Sequence, residues 1–201
     1  MRVLLRTVTA ISLAAALAGC SLGGLLGGGG KPPPTLQTLT PEAADPGAIT
    51  RSAGAGQAVS IAIPSVPKEL RSVRVPVQVT PTDVQYVTDL QWVDTPDRLF
   101  QDLLAETVRR TTSRVVLDPG QTTLDPGLTV SGTLQRFGYD AASGQVVVTY
   151  DAALSTSGGS QVQTRRFTAT APANGTGPSV GQALNRAANQ VALDVAKWIG
   201  G

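Results

Sequence analysis

The stretch from Val73 to Trp92, VRVPVQVTPTDVQYVTDLQW, has the most regular alternation of apolar and polar residues in the chain. Residues 73–79 place a valine at every second position, which is the period of a β-strand with one buried face. Residues 80–83, TPTD, are typical of a turn, and alternation resumes over residues 84–92. The sequence therefore predicts a β-hairpin. Pro76 cannot donate a ladder hydrogen bond, so the first strand is predicted to lie at a sheet edge.

An amphipathic helix is predicted directly after this hairpin. Thr95 offers a hydroxyl at the N-cap, Pro96 suits the first helical position, and Asp97 carries negative charge in the first turn. Apolar residues then recur at helical spacing and form one stripe: Leu99, Phe100, Leu103, Leu104 and Val108. The opposite side is charged, with Asp102, Glu106, Arg109 and Arg110.

Shorter strands are predicted on either side of the hairpin and helix. Leu36 and Leu39 indicate a first short strand. Residues 57–63 alternate as a strand with one buried face. Residues 115–117 form another short strand, which the turn sequence Asp118-Pro119-Gly120 ends.

Three long strands are predicted in the second half of the chain. The first has buried residues from Leu128 to Leu134, and its phase then shifts, which indicates a β-bulge near residues 135–136. Residues 146–154 alternate as the second strand. A Gly-Gly turn at residues 157–160 leads to the third strand over residues 161–171.

A second amphipathic helix is predicted after these strands. Ser179 is expected to cap it, and its apolar stripe comprises Leu184, Ala188, Val191, Val195, Trp198 and Ile199. The complete pattern predicts a single α+β domain over residues 35–201. Its antiparallel sheet consists of the hairpin and a three-stranded meander, with the two amphipathic helices on one face.

The first residues have the features of a secretion signal. Two arginines precede residues 7–18, an uncharged and mostly apolar run that is shorter than the roughly 20 residues needed to cross a bilayer. The run ends in Leu17-Ala18-Gly19-Cys20, which resembles the bacterial lipoprotein box. Residues 1–19 are therefore interpreted as a signal peptide. In lipoproteins of this kind, the Cys thiol, here that of Cys20, receives a diacylglycerol. The new N-terminal amine receives an acyl chain such as palmitate.

A buried thiol and an uncleaved anchor are the alternatives for Cys20. The Gly-rich residues 21–30 disfavour both, because glycine supports neither a core nor a helix. Two or more acyl chains hold a protein stably at a membrane. Ser21, where lipoproteins of the inner membrane tend to have Asp, indicates the periplasmic face of the outer membrane of a Gram-negative cell.

Residues 20–34 are predicted to be the lipid-bearing tether. Its glycines behave as flexible coil and its prolines stiffen into polyproline II, which gives a reach of about 20 Å. The net charge of +2 belongs to Arg2 and Arg6, so the chain without its signal has equal numbers of basic and acidic residues. A nucleic-acid partner is therefore not expected, because the basic surface that it requires is missing.

The composition excludes several kinds of active site. The chain has no His and one Cys, which excludes Ser-His and Cys-His pairs, an HExxH zinc helix and an intramolecular disulfide. Carboxylates remain, and four of them surround the first predicted helix: Asp94, Asp97, Asp102 and Glu106. Asp102 and Glu106 are a candidate hydrolytic pair, but a solvated helix face is the favoured interpretation. Asp118 and Asp125 adjoin prolines in turns, where Asp is expected.

Two further groups are candidates for binding. Arg165 and Arg166 are adjacent in a predicted strand, so their side chains point to opposite faces. A role at the sheet rim is favoured over lipid-phosphate binding. Trp92 and Trp198 are interpreted as core anchors or partner contacts rather than as a ligand cage.

Several of these features together resemble the ABC-type transport auxiliary lipoproteins, the PqiC-like outer-membrane partners of MCE-type lipid transport systems. The resemblance covers residues 35–199. It includes the lipoprotein box, Pro67-Lys68-Glu69-Leu70-Arg71, and Leu90-Gln91-Trp92-Val93-Asp94 before an amphipathic helix. It continues through Arg165-Arg166-Phe167 and the Ala-rich final helix.

The resemblance implies a non-enzymatic lipoprotein with no catalytic residue, no metal and no cofactor beyond the lipid on Cys20. Its implied partners are an MCE-domain protein and ABC transporter components, for movement of phospholipid or other apolar solutes. The predicted edge strand 73–79 is a candidate for strand addition to a partner. A structural or assembly lipoprotein of the outer envelope and a carboxylate hydrolase are the alternatives. Homo-oligomerisation stays open.

Overall fold

The computed structural model describes residues 35–118, 125–156 and 161–200. In these ranges seven strands form one sheet, and two α-helices pack against it. The strands are β1 (Ala58–Ile61), β2 (Arg74–Gln78), β3 (Val84–Gln91), β4 (Val115–Leu117), β5 (Gly127–Asp140), β6 (Gln145–Thr156) and β7 (Val162–Pro172). The helices are α1 (Pro96–Thr111) and α2 (Gly177–Gly200), and a 3₁₀ turn covers Lys68–Leu70. The predicted α+β class is confirmed.

Strand β5 organises the sheet because it is long enough to take two partners end to end along one edge. Antiparallel β6 covers its other edge, and β7 lies outside β6. β1 pairs in parallel with the first residues of β5, and β2 pairs in parallel with the last. β4 then lies outside β1, and β3 outside β2. The sheet is largely antiparallel, as predicted, and also contains three parallel strand pairs that the pattern did not indicate.

The hairpin of β2 and β3 is confirmed, but β2 is not an edge strand. It lies between β3 and β5, so the prediction that residues 73–79 form an edge open to strand addition is wrong. Pro76 fits there because it precedes Val77, the first residue that pairs with β5. Pairing with β3 is also irregular between Arg74 and Pro76, where β3 carries extra residues. The Val79 N–H donates to the Asp83 carbonyl at 3.0 Å, so alternation along the ladder directs the N–H position of Pro76 away from β3, just before pairing with β5 begins.

Burial of β1 and the start of α2 also differ from the predictions. All four residues of β1 are buried, not one face of it, because small outer side chains such as Ser60 lie between residues of β4 and β5. Helix α2 begins at Gly177, before Ser179. The Ser179 hydroxyl instead accepts a hydrogen bond from the Asn174 N–H at 3.1 Å. At the start of α1, Thr95 occupies the N-cap but its side chain makes no capping bond.

The long strands behave as their periodicity predicts. The register of β5 against β6 shifts between Leu134 and Arg136, at the predicted bulge. Of the predicted first strand, only Gln37 pairs, through a single bridge to Trp92. Leu39 is buried and Leu36 is exposed. The predicted turns at residues 119–120 and 157–160 lie outside the described residues.

The core lies between the sheet and both helices. Phe100 of α1 packs against Tyr150 of β6, with ring centroids 5.1 Å apart. Trp198 of α2 packs against Phe167 of β7 at 5.6 Å. Tyr150 and Phe167 are directly paired across the two strands, so both helices cover the same face of the sheet. The opposite face of β5, β6 and β7 has no helix over it among the described residues.

Candidate interaction surfaces

The expected lipid site, Cys20, and residues 21–34 lie outside the described residues, so lipidation and the tether stay predictions. The first described segment that follows them lies along both helices. We name residues 37–44 the N-terminal strap. It connects the region of the predicted anchor to the folded domain.

Two asparagines on one side of α2 bind the backbone of the strap. The Thr40 N–H donates to Asn185 Oδ1 at 2.8 Å, and the Glu42 N–H donates to Asn189 Oδ1 at 2.7 Å. Asn189 Nδ2 also donates to the Thr40 carbonyl at 2.9 Å. Asparagines four residues apart on a helix share a face. They therefore meet alternate residues of an extended segment much as a neighbouring strand would.

Further contacts hold both ends of the strap. Gln37 exchanges backbone hydrogen bonds with Gln91 and Val93, at 2.9 and 2.8 Å. At the other end, Arg110 of α1 donates to the Ala43 carbonyl at 3.0 Å. Gly181, one turn before Asn185, leaves room for the Gln37 side chain, because a Cβ there would overlap it. The strap is thus fixed to the end of β3 and to both helices.

The sequence did not single out the strap residues of α2. A pattern signal was present, since Gly181, Asn185 and Asn189 recur every four residues on an otherwise Ala- and Val-rich helix. Asn189 is buried in the structure, which explains why a polar residue interrupts the apolar stripe. Buried polar side chains are normally hydrogen-bonded, so a partner segment could have been expected.

The candidate hydrolytic pair lies on the outer side of α1. Glu106 accepts a hydrogen bond from Arg110 at 2.8 Å and forms a second ion pair with Arg109 at 3.5 Å. Asp102 is exposed. The carboxylate of Glu106 is thus engaged by cations of its own helix, as the solvated-face interpretation predicts.

The other candidate carboxylates lie at the ends of helices or strands, where they suit the local backbone. Asp94 accepts a hydrogen bond from the Thr95 N–H at 2.7 Å, immediately before α1. Asp97 lies in the first turn of α1, where its charge suits the helix dipole. Asp125 accepts from the Gly127 N–H at 2.9 Å, where Gly127 has φ +83°. Asp118 follows β4 directly. Within the described ranges, His, Cys, Asp and Glu side chains form no group of three suited to a metal ion.

The two tryptophans have different surroundings. Trp92 is 1% exposed and packs edge to face on Phe137, with ring centroids 5.7 Å apart. It is therefore a core anchor. Trp198 is only partly buried against the core and borders a groove of about 470 Å³ between β7 and α2. Its ring is thus available at the surface.

The uncovered face of the meander is polar and carries paired charges. Arg166 forms a two-point contact with Asp151 across β6 and β7, at 2.6 and 2.7 Å. These hydrogen bonds hold the pKa of the Asp151 carboxyl below its usual value. At the end of β5, a hydrogen bond from the Ser143 N–H also lowers the pKa of the Asp140 carboxyl, and Arg136 adds a weaker contribution. Threonines fill much of the remaining face.

Arg165 and Arg166 point to opposite faces of β7, as predicted. Arg166 meets Asp151 on the uncovered face, whereas the Arg165 guanidinium lies 5.1 Å from the Phe167 ring centre on the helix side. Arg165 has no carboxylate within ion-pair distance among the described residues. The two arginines therefore do not form one patch, and Arg165 is the one available to a ligand.

Comparison with known proteins assigns this domain to a described family. The family model for the ABC-type transport auxiliary lipoprotein component matches residues 37–196. The match begins at the first residue of the strap and extends almost to the end of α2. No relative is found among curated protein sequences. None of the helices in the described ranges combines the length and the apolar character needed to cross a membrane.

Two solved structures share the fold at low sequence identity, and a third is less similar. A Xanthomonas campestris protein of the DUF330 family has a TM-score of 0.65 and 20% identity, covering 83% of this chain and 92% of its own. A protein described only as uncharacterised has a TM-score of 0.62 and 16% identity, covering 75% and 96%. A PelC dodecamer from Paraburkholderia phytofirmans has a TM-score of 0.45 and 16% identity, covering 76% and 94%.

Proposed function

Because this chain belongs to the ABC-type transport auxiliary lipoprotein family, we propose that it is a lipid-anchored docking component of an MCE-type ABC transport system. It faces the periplasm from the outer membrane and helps phospholipid or other apolar solutes move between membranes. The family is one of transport auxiliary lipoproteins, which is not an enzyme class. The observation that carries the proposal is the family match over residues 37–196.

The anchor in this proposal is Cys20. Thioether-linked diacylglycerol together with an acylated amine gives more than one buried chain, which holds a protein stably at a membrane. Residues 21–34 then allow the domain to stand away from the lipid surface. The strap binds to both helices before β1 begins, so the tether ends where residue 37 joins the folded domain.

The domain acts by binding protein rather than by catalysis. Its described grooves are each bordered by charged side chains, such as Arg114 with Lys197 below the helix ends and Arg110 with Arg186 beside the strap. Such surfaces suit polar protein partners better than acyl chains, whose binding sites are predominantly apolar. The solute therefore passes through the partner, and this domain positions that partner at the outer membrane.

Membrane fractionation with mass spectrometry of the N-terminal peptide tests the anchoring part of the proposal. We expect Cys20 to be the first residue, with a mass increase of a diacylglycerol and an acyl chain, in the outer-membrane fraction. Cys20→Ser is the matched control and should lose both the lipid mass and the outer-membrane location. An unmodified Cys20, or a modified protein confined to the inner membrane, would contradict this location. Neighbouring genes for a permease, an ATPase and an MCE-domain protein would support the transport assignment.

A further inference from the structure

Among the described residues, strand β7 has one sheet edge without a partner strand. Its other edge pairs with β6 in a continuous antiparallel register. At one end of this pairing the Thr156 N–H donates to the Gln161 carbonyl at 3.1 Å, and at the other the Ala173 N–H donates to the Gly144 carbonyl at 3.0 Å. Bonded pairs alternate in an antiparallel ladder. The odd-numbered residues of β7 therefore bond to β6, and the even-numbered ones direct their N–H and C=O groups outwards.

This edge suits strand addition better than the other two edges of the sheet. β4 has only three residues, and β3 has a register break in its pairing with β2. β7 has 11 residues, and its proline, Pro172, is the last of them. Proteins usually blunt such an edge with short length, bulges, proline or charged side chains. Before Pro172, β7 has only the charges of Arg165 and Arg166, and a long regular edge of this kind can accept an extended segment of opposite charge.

A groove next to this edge supplies side-chain contacts. It has a volume of about 470 Å³, and Trp198 with Phe167 provides its aromatic part. Arg165 and Lys197 border the same groove. An extended segment lying along β7 would thus place one row of its side chains over aromatic rings and basic groups.

The charges at the groove favour an acidic ligand. Asp151 already neutralises Arg166, and Asp194 lies 3.7 Å from Lys197. Arg165 has only the Phe167 ring as a charge-stabilising contact in the described structure. The groove therefore has an excess of positive charge where a carboxylate can reach it.

We propose that β7 binds an acidic extended segment of another protein, which adds to the sheet as a strand. The edge supplies backbone hydrogen bonds, Arg165 receives a carboxylate, and Trp198 receives an apolar side chain. A second copy of this chain fits less well, because β7 contains no carboxylate that could meet Arg165 of the other copy. The proposal rests on the proposed function only for the source of the segment, a protein component of the transport system.

The test uses the full chain in detergent and a capped seven-residue peptide, Glu-Thr-Val-Thr-Glu-Thr-Val, in which Glu and Val share one face of the strand. A peptide with Lys at each Glu position is the charge control. Hydrogen–deuterium exchange should show protection of residues 162–172 with the Glu peptide only. Protection by the Lys peptide to the same extent would overturn the proposal.

Two substitutions at one position separate the edge from the side chain. Thr168→Pro removes an outward N–H without removing a bond to β6, whereas Thr168→Ala keeps that N–H. We expect Thr168→Pro to weaken peptide binding at least tenfold, and Thr168→Ala to change it less than about twofold. Equal binding by the two variants would overturn strand addition. If circular dichroism shows that Thr168→Pro is unfolded, Thr170→Pro with Thr170→Ala makes the same comparison.

Anionic lipid is the competing ligand for Arg165. Vesicles of phosphatidylcholine with phosphatidylglycerol test it directly, with the Thr168 variants and Arg165→Ala. We expect Arg165→Ala to weaken binding of the Glu peptide several-fold and to reduce its salt dependence. Vesicle binding that needs Arg165, without any binding of the Glu peptide, would overturn the proposal in favour of a lipid headgroup. No transport component is present in these assays, so their failure is distinct from failure of the proposed function.

Discussion

At the scale of single residues, Gly132 shows how closely β5 and β6 pack over the aromatic core. A Cβ at this position would overlap the Asp151 carbonyl and the Tyr150 ring. The carbonyl belongs to the neighbouring strand and cannot move away without disturbing the ladder. We expect Gly132→Ala to lower the free energy of unfolding by about 1–3 kcal/mol in urea denaturation.

Ser131→Ala is the control for Gly132→Ala. Ser131 precedes Gly132 in β5, but its side chain lies on the uncovered face of the sheet. Substitutions at such surface positions usually change stability by less than about 0.5 kcal/mol. Equal losses of stability in the two variants would show that the close approach at Gly132 is not the cause.

Tyr150 gives a second prediction at this scale. Its hydroxyl is buried and has no hydrogen-bond partner among the described residues, and burial raises its pKa well above the usual 10.0. The unfolded chain therefore releases this proton first, and the free energy of unfolding should fall as the pH rises above about 10. Tyr150→Phe should keep or raise stability at neutral pH and reduce this alkaline loss.

Urea denaturation of wild type and Tyr150→Phe at neutral and alkaline pH makes the measurement. Tyr86→Phe, in edge strand β3, is the matched control and should leave the alkaline loss in place. Destabilisation of Tyr150→Phe at neutral pH would mean that the hydroxyl has a bonding partner after all.

At the scale of elements, the strap depends on one buried amide. Asn189 holds backbone groups of Thr40 and Glu42. Asn189→Ala leaves these groups without partners, and we expect it to lower the free energy of unfolding by about 1–3 kcal/mol. Hydrogen exchange of residues 37–44 should also become faster. Gln190→Ala, exposed on the same turn, is the control, and the same exchange increase in both variants would contradict the role of Asn189.

The Asp151–Arg166 pair predicts a pH dependence for the joined strands β6 and β7. The pKa of Asp151 is lowered in the fold, mainly by its hydrogen bonds from Arg166. Its contribution to stability is therefore complete above the ordinary carboxyl pKa of 3.8 and is lost as the pH falls through the lower, folded value.

Asp151→Asn should flatten the dependence of the free energy of unfolding on pH in this acidic window. Urea denaturation from neutral pH down to about pH 2 measures it. Asp89→Asn, at an exposed position of β3, is the control. If Asp151→Asn kept the wild-type dependence of the free energy of unfolding on pH, the Asp151–Arg166 pair would not be its cause.

Local sequence patterns predicted the strands and helices better than they predicted which strands lie next to each other in the sheet. The bulge near Arg136 and the apolar stripe of α1 follow from periodicity along one segment, which sequence displays directly. Whether β2 is an edge depends on where β5 lies, and Pro76 gave a wrong indication because irregular pairing can also accommodate a missing N–H. Beyond Gln37 the strap was missed because amide side chains on α2, not a strand, bind it.

At the scale of the whole molecule, the described domain is proposed to bind a partner protein, and the predicted anchor to hold the chain at the membrane. Signal, lipid and tether were predicted from composition around Cys20, and they stay predictions because they lie outside the described residues. The proposed docking surface could not be predicted from sequence. Arg165 and Trp198 are far apart in the chain, and only the packing of α2 on β7 brings them to one groove.

The central claim, partnership with a transporter, is tested most directly by crosslinked co-purification. The tagged full chain is crosslinked in intact cells, purified under denaturing conditions and identified with its partners by mass spectrometry, with an unrelated outer-membrane lipoprotein as the control bait. We expect an MCE-domain protein and the ABC permease or ATPase to be enriched over the control bait. Recovery of the crosslinked chain with none of these components enriched would contradict the claim.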